Sequence, residues 1–587
     1  MRKFLSRIIE RLRARLTTTG VEQYTMLLAS LVLGVVGALS ARLFMLLLGY
    51  AQTIFLKQIA GYTPLGLVSD GGSPFQVVGP HGLWLIPIAT TLGGLISGIL
   101  VYSLAPEAEG HGTDTAVKAF HKAGGFIRAR VPFVKLIASA ITLGSGGAAG
   151  REGPTALISA GVASIYGTFA RYTEAQRRML VLIGEAAGLS AIFRSPLGTA
   201  VFVTEVLYGN MEFEASALIY TMIASVVAYV VNGLFVGWGP LFQISVSMPT
   251  PQFSSYFSYI LLGLSAGVIG TILPMVFYSI RDGFKALKIP PHVKPAIGGL
   301  IVGLMAIKIP GVLSGGYGWI QAAINGQLDT ITLLMLTFGM ILALAFTISS
   351  GGSGGVFAPS LFVGAMLGGL LGQVLQEAPA SFVIVGMTAV FASAARVPIA
   401  AMLMVSEMTG GYQLLAAAAL AVMISYIVQI NLSSKLKYDS LYEAQVPYRT
   451  ASPAHHQEQI DAVMSLLSTD GFSVPSSVTH VDLRRVLMTG MPVDLPDERQ
   501  MVLLTIQPHA PCIGETASCM LSFDESDEVE LITAFRRGHL MLPHSDNKLQ
   551  AGDRLLAIVS PQGWDTLVKF ASASPPAEKL STEQPKE

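Results

Sequence analysis

From about Val21 to Gln429 the chain is a succession of apolar runs broken by short polar turns, a pattern that admits few folds. The clearest runs are Tyr24 to Phe55, Leu83 to Leu104, Phe133 to Leu143, Met179 to Phe193, Ala215 to Val236, Tyr256 to Tyr278, Pro295 to Ile307 and Leu333 to Ile348. In hydrocarbon each backbone N–H and C=O must be satisfied within the segment, so such runs fold as helices. A straight crossing takes about 20 residues. Some runs are shorter, some longer, and Gly and Pro interrupt them, which predicts tilted and broken helices. With 52% hydrophobic and 13% charged residues over 587 positions, the composition excludes a soluble protein and predicts a polytopic membrane protein.

Within this region Gly144-Ser-Gly-Gly-Ala-Ala-Gly-Arg-Glu-Gly-Pro154 is a glycine-rich turn opening into the apolar run Thr155 to Phe169. Glycines let backbone N–H groups approach a ligand, and the start of the following helix offers unpaired donors and partial positive charge. That is an anion site. Glu152 is an ionisable group where charge is costly, and so a functional candidate. A carboxylate seated where an anion would bind is a tethered competitor that protonation dislodges. Acid activation is therefore expected, together with loss of pH dependence in Glu152→Gln.

The turn occurs twice. Gly144-Ser-Gly-Gly precedes Glu152-Gly-Pro154, and Gly352-Ser-Gly-Gly precedes Phe357-Ala-Pro359, with Pro154 and Pro359 205 positions apart. Downstream, Pro196 and Glu205 are each followed 202 positions later by Pro398 and Glu407. Two repeats that turn glycine-rich helix starts toward each other make a midplane site with converging positive ends.

These motifs make the region from roughly Leu16 to Ala444 resemble the CLC family of chloride channels and chloride/proton antiporters. Gly150-Arg-Glu-Gly-Pro154 is similar to its GREGP element, Gly355-Val-Phe-Ala-Pro359 to GxFxP, and Tyr438-Asp-Ser-Leu441 to its late tyrosine motif. The resemblance implies an all-α membrane domain with inverted repeats, a homodimer, and one anion pathway per subunit. It implies that Glu152 is the gate and, in antiporters, a proton carrier. It places Arg151, Gly153 and the backbone of Val356 and Phe357 at the anion, with the Tyr438 hydroxyl donating to it. The partners implied are chloride or a similar small anion, with protons as a second substrate.

Two departures bear on mechanism. Where the family has GSGIP, this chain has Gly110-His111-Gly112-Thr113-Asp114, so His111 replaces the anion-binding serine. Neutral imidazole donates one hydrogen bond and imidazolium adds attraction. The alternative leaves only the Gly110 and Gly112 N–H groups in that role. Asp114 is expected to cap the next helix. In Phe202-Val-Thr-Glu205-Val206, the resemblance puts a second, proton-taking glutamate of antiporters at Val206, where valine cannot serve. The expectation is channel-like conduction, with a chloride/proton antiporter using another internal route as the alternative. Glu205 reads as structural.

The remainder frames this domain. Residues 1–20 combine helical apolar spacing with Arg2, Lys3, Arg7, Arg11, Arg13 and Arg15, which predicts a surface helix with a cytoplasmic N-terminus and no cleavable signal peptide. Lys118 to Lys135 reads as a basic cytoplasmic loop. After the membrane domain over 21–446 comes a linker over 447–499. Strand-like alternation over 500–571 resembles the TrkA C-terminal (RCK-C) domain, a regulatory α/β module that implies an unknown small ligand. His509, His539, His544 and Arg536-Arg537 are its polar candidates, and a disordered tail follows over 572–587. The transporter-plus-RCK-C arrangement implies a bacterial inner membrane with both termini cytoplasmic. Zero formal net charge makes no case for nucleic acid, and Cys512 and Cys519 lack metal-spaced histidines. An enzyme using His111, Asp114 and Glu152 finds no HExxH or GxSxG, and the turn at 144–150 is one residue too long for a P-loop. No cofactor is expected. A cation pathway finds no TVGYG filter.

Overall fold

The computed structural model describes residues 18–244, 251–454, 492–494, 499–515, 529–536, 539–541 and 548–572. The expected surface helix lies outside these except at its last three positions. Most of the linker, the tail beyond 572, Cys519, Arg537 and His544 also lie outside them. The chain divides into two compact units, 1–448 and 449–587.

The first unit is helical throughout its core. Its first half holds α1 (Thr18–Gln52), α2 (Ile86–Leu104), α3 (Thr113–Lys122), α4 (Arg130–Gly144), α5 (Glu152–Phe169), α6 (Glu174–Phe193), α7 (Pro196–Glu205) and α8 (Ala215–Val236). The second half repeats the order with α9 (Ser255–Ala286), α10 (Lys294–Lys308), α11 (Tyr317–Ile324), α12 (Thr330–Ser349), α13 (Phe357–Val374), α14 (Pro379–Ala395), α15 (Pro398–Thr409) and α16 (Leu415–Ser433). Among the described residues seven helices are long and apolar enough to cross a membrane. The others are short or, like α5 and α6, largely buried, as expected for broken elements lining a path through protein.

Local chemistry sets the helix boundaries. Proline stands at the first turn of α2, α7, α10, α14 and α15, where its missing N–H costs nothing. Thr173 and Gln176 form a reciprocal capping box at α6, and Asp329 accepts the Thr332 N–H at α12. The duplication extends to the backbone. Gly146 and Gly351 have φ of +103° and +104°, a conformation that requires glycine, while Arg194 and Arg396 end α6 and α14 at φ of +56° and +57°.

The two halves interlock. Helix α2 packs on α10, α5 on α6, α13 on α14, and α7 on α15. Glu205, at the end of α7, accepts the Ile399 and Ala400 N–H groups (3.2 and 2.7 Å) at the start of α15. Glu407 in α15 accepts the Leu197 and Gly198 N–H groups (3.1 and 2.8 Å) at the start of α7. Each repeat therefore caps a helix of the other with an anion at its positive end. This is the structural role expected for Glu205.

The stretch Lys118–Lys135 departs from the expected loop. Lys118 and Lys122 lie on α3, and Arg130 to Lys135 belong to α4. Lys135 is fully buried, its Nζ donating to the Ala108 and Gly110 carbonyls (3.1 and 2.7 Å). Basic charge marked the edge of a helix here as well as a polar turn.

The second unit contains an antiparallel sheet of β3 (Val493–Asp494), β4 (Gln500–Thr505), β5 (Val529–Arg536), β6 (His539–Met541) and β7 (Arg554–Val559), in the order β3-β4-β7-β5-β6. Here β1 (Tyr62–Thr63) and β2 (Val77–Val78) are taken as the small pair in the first unit. Leu555, Ala557, Val559, Val502, Val529 and Leu567 of α17 (Trp564–Ala571) form the core beneath the sheet. Asp553 pairs with Arg536 at 2.8 Å and accepts the Gln550 N–H at 2.8 Å. The hydrogen-bonded Asp553 carboxylate holds the Arg536 guanidinium above its usual range.

Candidate functional site

The two glycine-rich turns meet. Gly150 N–H donates to the Gly355 carbonyl and Gly355 N–H to the Gly150 carbonyl, both at 2.7 Å. A Cβ on Gly355 would lie 2.8 Å from Gly153 N and 2.9 Å from Gly150 O, so the approach requires glycine. A third stretch joins them, with Gly110 N–H donating to Gly352 O at 3.1 Å and Gly354 N–H to Gly110 O at 3.2 Å. Gly153 lies directly against the His111 carbonyl. The knot thus aims the starts of α5 and α13, whose first N–H groups have no partners within their helices, at one small volume.

Glu152, the first residue of α5, occupies that volume and is fully buried. Its Oε1 accepts a hydrogen bond from the Tyr317 hydroxyl at the start of α11. The carboxylate lies beside the Ala358 N–H in the first turn of α13, and Oε2 has no well-aligned partner among the described residues. Arg151 is 3.7 Å from Oε1, but its closer partner is Asp70 at 2.7 Å, which also holds Arg194 at 2.8 Å. The Arg151 guanidinium stacks over the Tyr317 ring at 4.4 Å. A neighbouring-arginine salt bridge therefore does not by itself account for Glu152.

Two cavities approach this knot. One of about 400 Å³ is lined by Asp70, Arg151, Ser314, Gly315 and Tyr317. The other, of about 610 Å³, is lined by Gly110, His111 and Gly112. Lys118, Lys122, Arg128, Arg281 and Lys285 also line the second cavity, against Glu107, Glu109 and Asp114. That excess of basic groups favours anions. Glu152 lies between residues that line the two.

His111 is buried, with its ring edge against Tyr442 at 5.4 Å and Phe277 at 6.5 Å, and its Nδ1 has no partner among the described residues. Asp114 does not cap its own helix, whose start at Gly112 has no side-chain cap. Its Oδ1 accepts the Ala444 N–H at 2.7 Å and so ties the segment after α16 to α3. Tyr438 is also placed differently from expectation. Its hydroxyl turns to Asp282 at 3.3 Å and its ring stacks on Tyr278 at 4.3 Å. The tyrosine beside His111 is Tyr442, fully buried and hydrogen-bonded to Thr113.

Val356 and Phe357 are buried, and the Phe357 ring packs among Phe391, Phe193 and Phe202 at 3.9, 4.3 and 5.7 Å. The Phe357 ring is thus occupied away from the knot, which leaves its backbone there. Val206 is fully buried just beyond α7 and offers no ionisable atom. The sequence reading did not single out Tyr317, Tyr442, Lys135 or Glu185. A lone Lys or Glu inside an apolar run, and Gly315-Gly316 ahead of Tyr317, were the available signals. In the second unit His509 is exposed in a left-handed turn and Cys512 is buried in the sheet's core. Among the described residues no cluster of three His, Cys, Asp or Glu could hold a metal.

Comparison with known proteins bears on family and fold. The family model described as "Voltage gated chloride channel" matches residues 93–429. A relative from Escherichia coli strain SMS-3-5, named voltage-gated ClC-type chloride channel ClcB, is 33% identical over 64% of this chain and 91% of its own. Its namesake from Shigella flexneri is 32% identical over the same shares. Among solved structures, a slow cyanobacterial Cl⁻/H⁺ antiporter aligns with a TM-score of 0.61 at 23% identity, covering 70% of this chain and 95% of that one. A CLC-type fluoride/proton antiporter aligns with a TM-score of 0.61 at 21% identity, covering 73% and 98%. By motif, paired repeats and these matches, the chain is a multi-pass membrane protein belonging to the voltage-gated chloride channel (CLC) family.

Proposed function

We propose that the membrane unit carries chloride or a similar small anion between the two cavities, past His111 and the starts of α5 and α13, with Glu152 as the gate. The observation that carries this reading is the Glu152 carboxylate seated among helix-start N–H groups, where a permeant anion would otherwise be stabilised. Charged, it competes with the anion; protonated, it loses its attraction to the Ala358 N–H and becomes a donor. His111, with Nδ1 unpaired at the end of the basic cavity, takes the place of a hydroxyl donor. The backbone of Gly110, Gly112, Gly153, Val356 and Phe357 supplies the remaining polar surface, and Tyr442 replaces Tyr438 as the phenol beside the path.

The protein acts as a homodimer with one path per subunit, in a bacterial inner membrane with both termini in the cytoplasm. The ClcB relatives named as chloride channels support the anion. Val206 removes one internal proton donor, which favours passive conduction. The structural neighbours named as proton antiporters favour coupling if another internal acid exists. The test is isotope uptake into liposomes containing the full-length protein. Radiochloride should accumulate while rubidium stays at the empty-liposome level. Rubidium uptake without chloride uptake would contradict the reading.

A further inference from the structure

Several buried or half-buried acids of the membrane unit have clear partners. Glu205 and Glu407 cap helices, Asp114 holds the Ala444 N–H, and Glu214 accepts from the Tyr208 hydroxyl at 2.7 Å. Glu185 differs from all of them. It lies in α6, within the continuously buried run Leu180–Phe193, with no accessible surface. Neither of its carboxyl oxygens has a hydrogen-bond partner among the described residues. A buried carboxyl with neither cation nor donor adds nothing to folding that an apolar side chain would not add better.

Its surroundings point to a use. The Tyr442 phenol lies within electrostatic reach of Glu185, Glu152 and Asp114 together. Tyr442 also lines a separate cavity of about 260 Å³, with Arg396, Asp439 and Glu443. The elements packed against α6 bring other ionisable groups, but these are engaged elsewhere. On α5, Glu152 is held by Tyr317, with Arg151 behind it. On α3, Asp114 is bonded to Ala444, His121 meets the Leu207 carbonyl at 3.0 Å, and Lys118 and Lys122 line the basic cavity. On α7, Glu205 caps α15; on α1, Arg42 lies over the Phe235 ring. On α8, the Tyr229 hydroxyl donates to the Trp238 carbonyl.

We propose that Glu185 is the internal proton-transfer residue of this transporter, filling from α6 the role that Val206 leaves empty at the end of α7. A proton from the cavity beside Tyr442 forms an O–H bond on the Glu185 carboxylate. It then passes to the Glu152 carboxylate through water and the Tyr442 hydroxyl, which gives one proton as it takes another. No redox partner or leaving group is needed. Neutral Glu152 leaves the anion site, an anion enters, and the two movements are coupled in opposite directions. The proposal rests on the reading of Glu152 as the gate and adds proton coupling to it.

The test uses the full-length protein in liposomes and measures two fluxes at once: chloride release, and proton movement driven by a chloride gradient. The native protein should move protons against their gradient when chloride runs down its own. In Glu185→Gln, driven proton movement should fall about tenfold or more, while chloride turnover continues, slower, with Glu152 taking its proton from the cavity lined by Arg151 and Tyr317. Its reversal potential should shift to the chloride equilibrium value. Glu185→Asp should keep a measurable part of the coupling, which a purely structural role would not predict. If Glu185→Gln is not monodisperse in detergent, Glu185→Ala is read in the same way. Native coupling that survives in Glu185→Gln or Glu185→Ala would overturn the proposal, as would a native protein that moves chloride with no proton movement. Absent chloride flux in the native protein would instead overturn the anion-pathway reading itself.

Discussion

Helices α5 and α13 are each 18 residues long, each follows a GSGG turn whose preceding or internal glycine has φ near +103°, and each begins beside one member of the Gly150–Gly355 pair. They differ in their first residue. Phe357 sends its ring into an aromatic cluster and leaves only backbone at the knot, whereas Glu152 places its carboxylate beside the Ala358 N–H of the opposite start. On the proposed reading, duplication built one anion site from two helix ends, and a single unlike residue, Glu152, supplies the removable charge in it. The acids at the far ends of the short helices show the contrasting case, because Glu205 and Glu407 play the same part in both repeats.

The strongest way to break the comparison is at the knot. Gly355→Ala places a Cβ within 3 Å of two backbone atoms of the first repeat. It should abolish chloride transport and destabilise the membrane unit by several kcal/mol, about 1–3 kcal/mol for each reciprocal bond lost in a buried site. Thermal unfolding in detergent and liposome flux check this together. The symmetric acids offer a sharper test. Glu205→Ala strands two N–H groups in a buried site and should lower stability by about 2–4 kcal/mol, and Glu407→Ala, half-buried and with its Leu197 bond exposed, by about 1–3 kcal/mol. Similar losses would support equivalent roles, while a large difference would break the symmetry.

A smaller effect is expected at Tyr317, which acts on the first helix start alone. Its hydroxyl donates to the Glu152 carboxylate and so favours the charged form, the blocking one in the proposed gate. Tyr317→Phe should move the acid activation of chloride flux to higher pH by about one unit, the size of one charge-assisted hydrogen bond. An unchanged midpoint would remove Tyr317 from the gate. The smallest effect belongs to the second unit. Asp553→Asn weakens the pair with Arg536 and should cost that unit about 1 kcal/mol, with chloride flux through the membrane unit unchanged.

Much of this was legible in the sequence because it is local or periodic. Apolar run lengths predicted broken membrane helices, equal offsets of 202 and 205 predicted the repeats, and glycine next to a carboxylate predicted where Glu152 would sit. What stayed hidden depends on contacts between distant segments. The strand of chain after α16 is positioned by Asp114, by Ala394 O to the Leu441 N–H, and by Leu207 O to the Val446 N–H. Those straps set Tyr442 rather than Tyr438 beside His111. Tyr317 lies 165 positions from Glu152, and no spacing rule joins them. Lys135 was hidden for another reason, since its charge resembled a loop boundary until two carbonyls were found to surround it.

The most direct test of Glu152 as the gate is chloride flux in liposomes from pH 4 to 8 (roughly the range over which a buried carboxyl can titrate), for the native protein and for Glu152→Gln. The account predicts that native flux rises as pH falls and that the variant, permanently neutral at this position, conducts at one level throughout. A variant that kept the native pH profile would contradict it, because the titrating gate would then lie elsewhere.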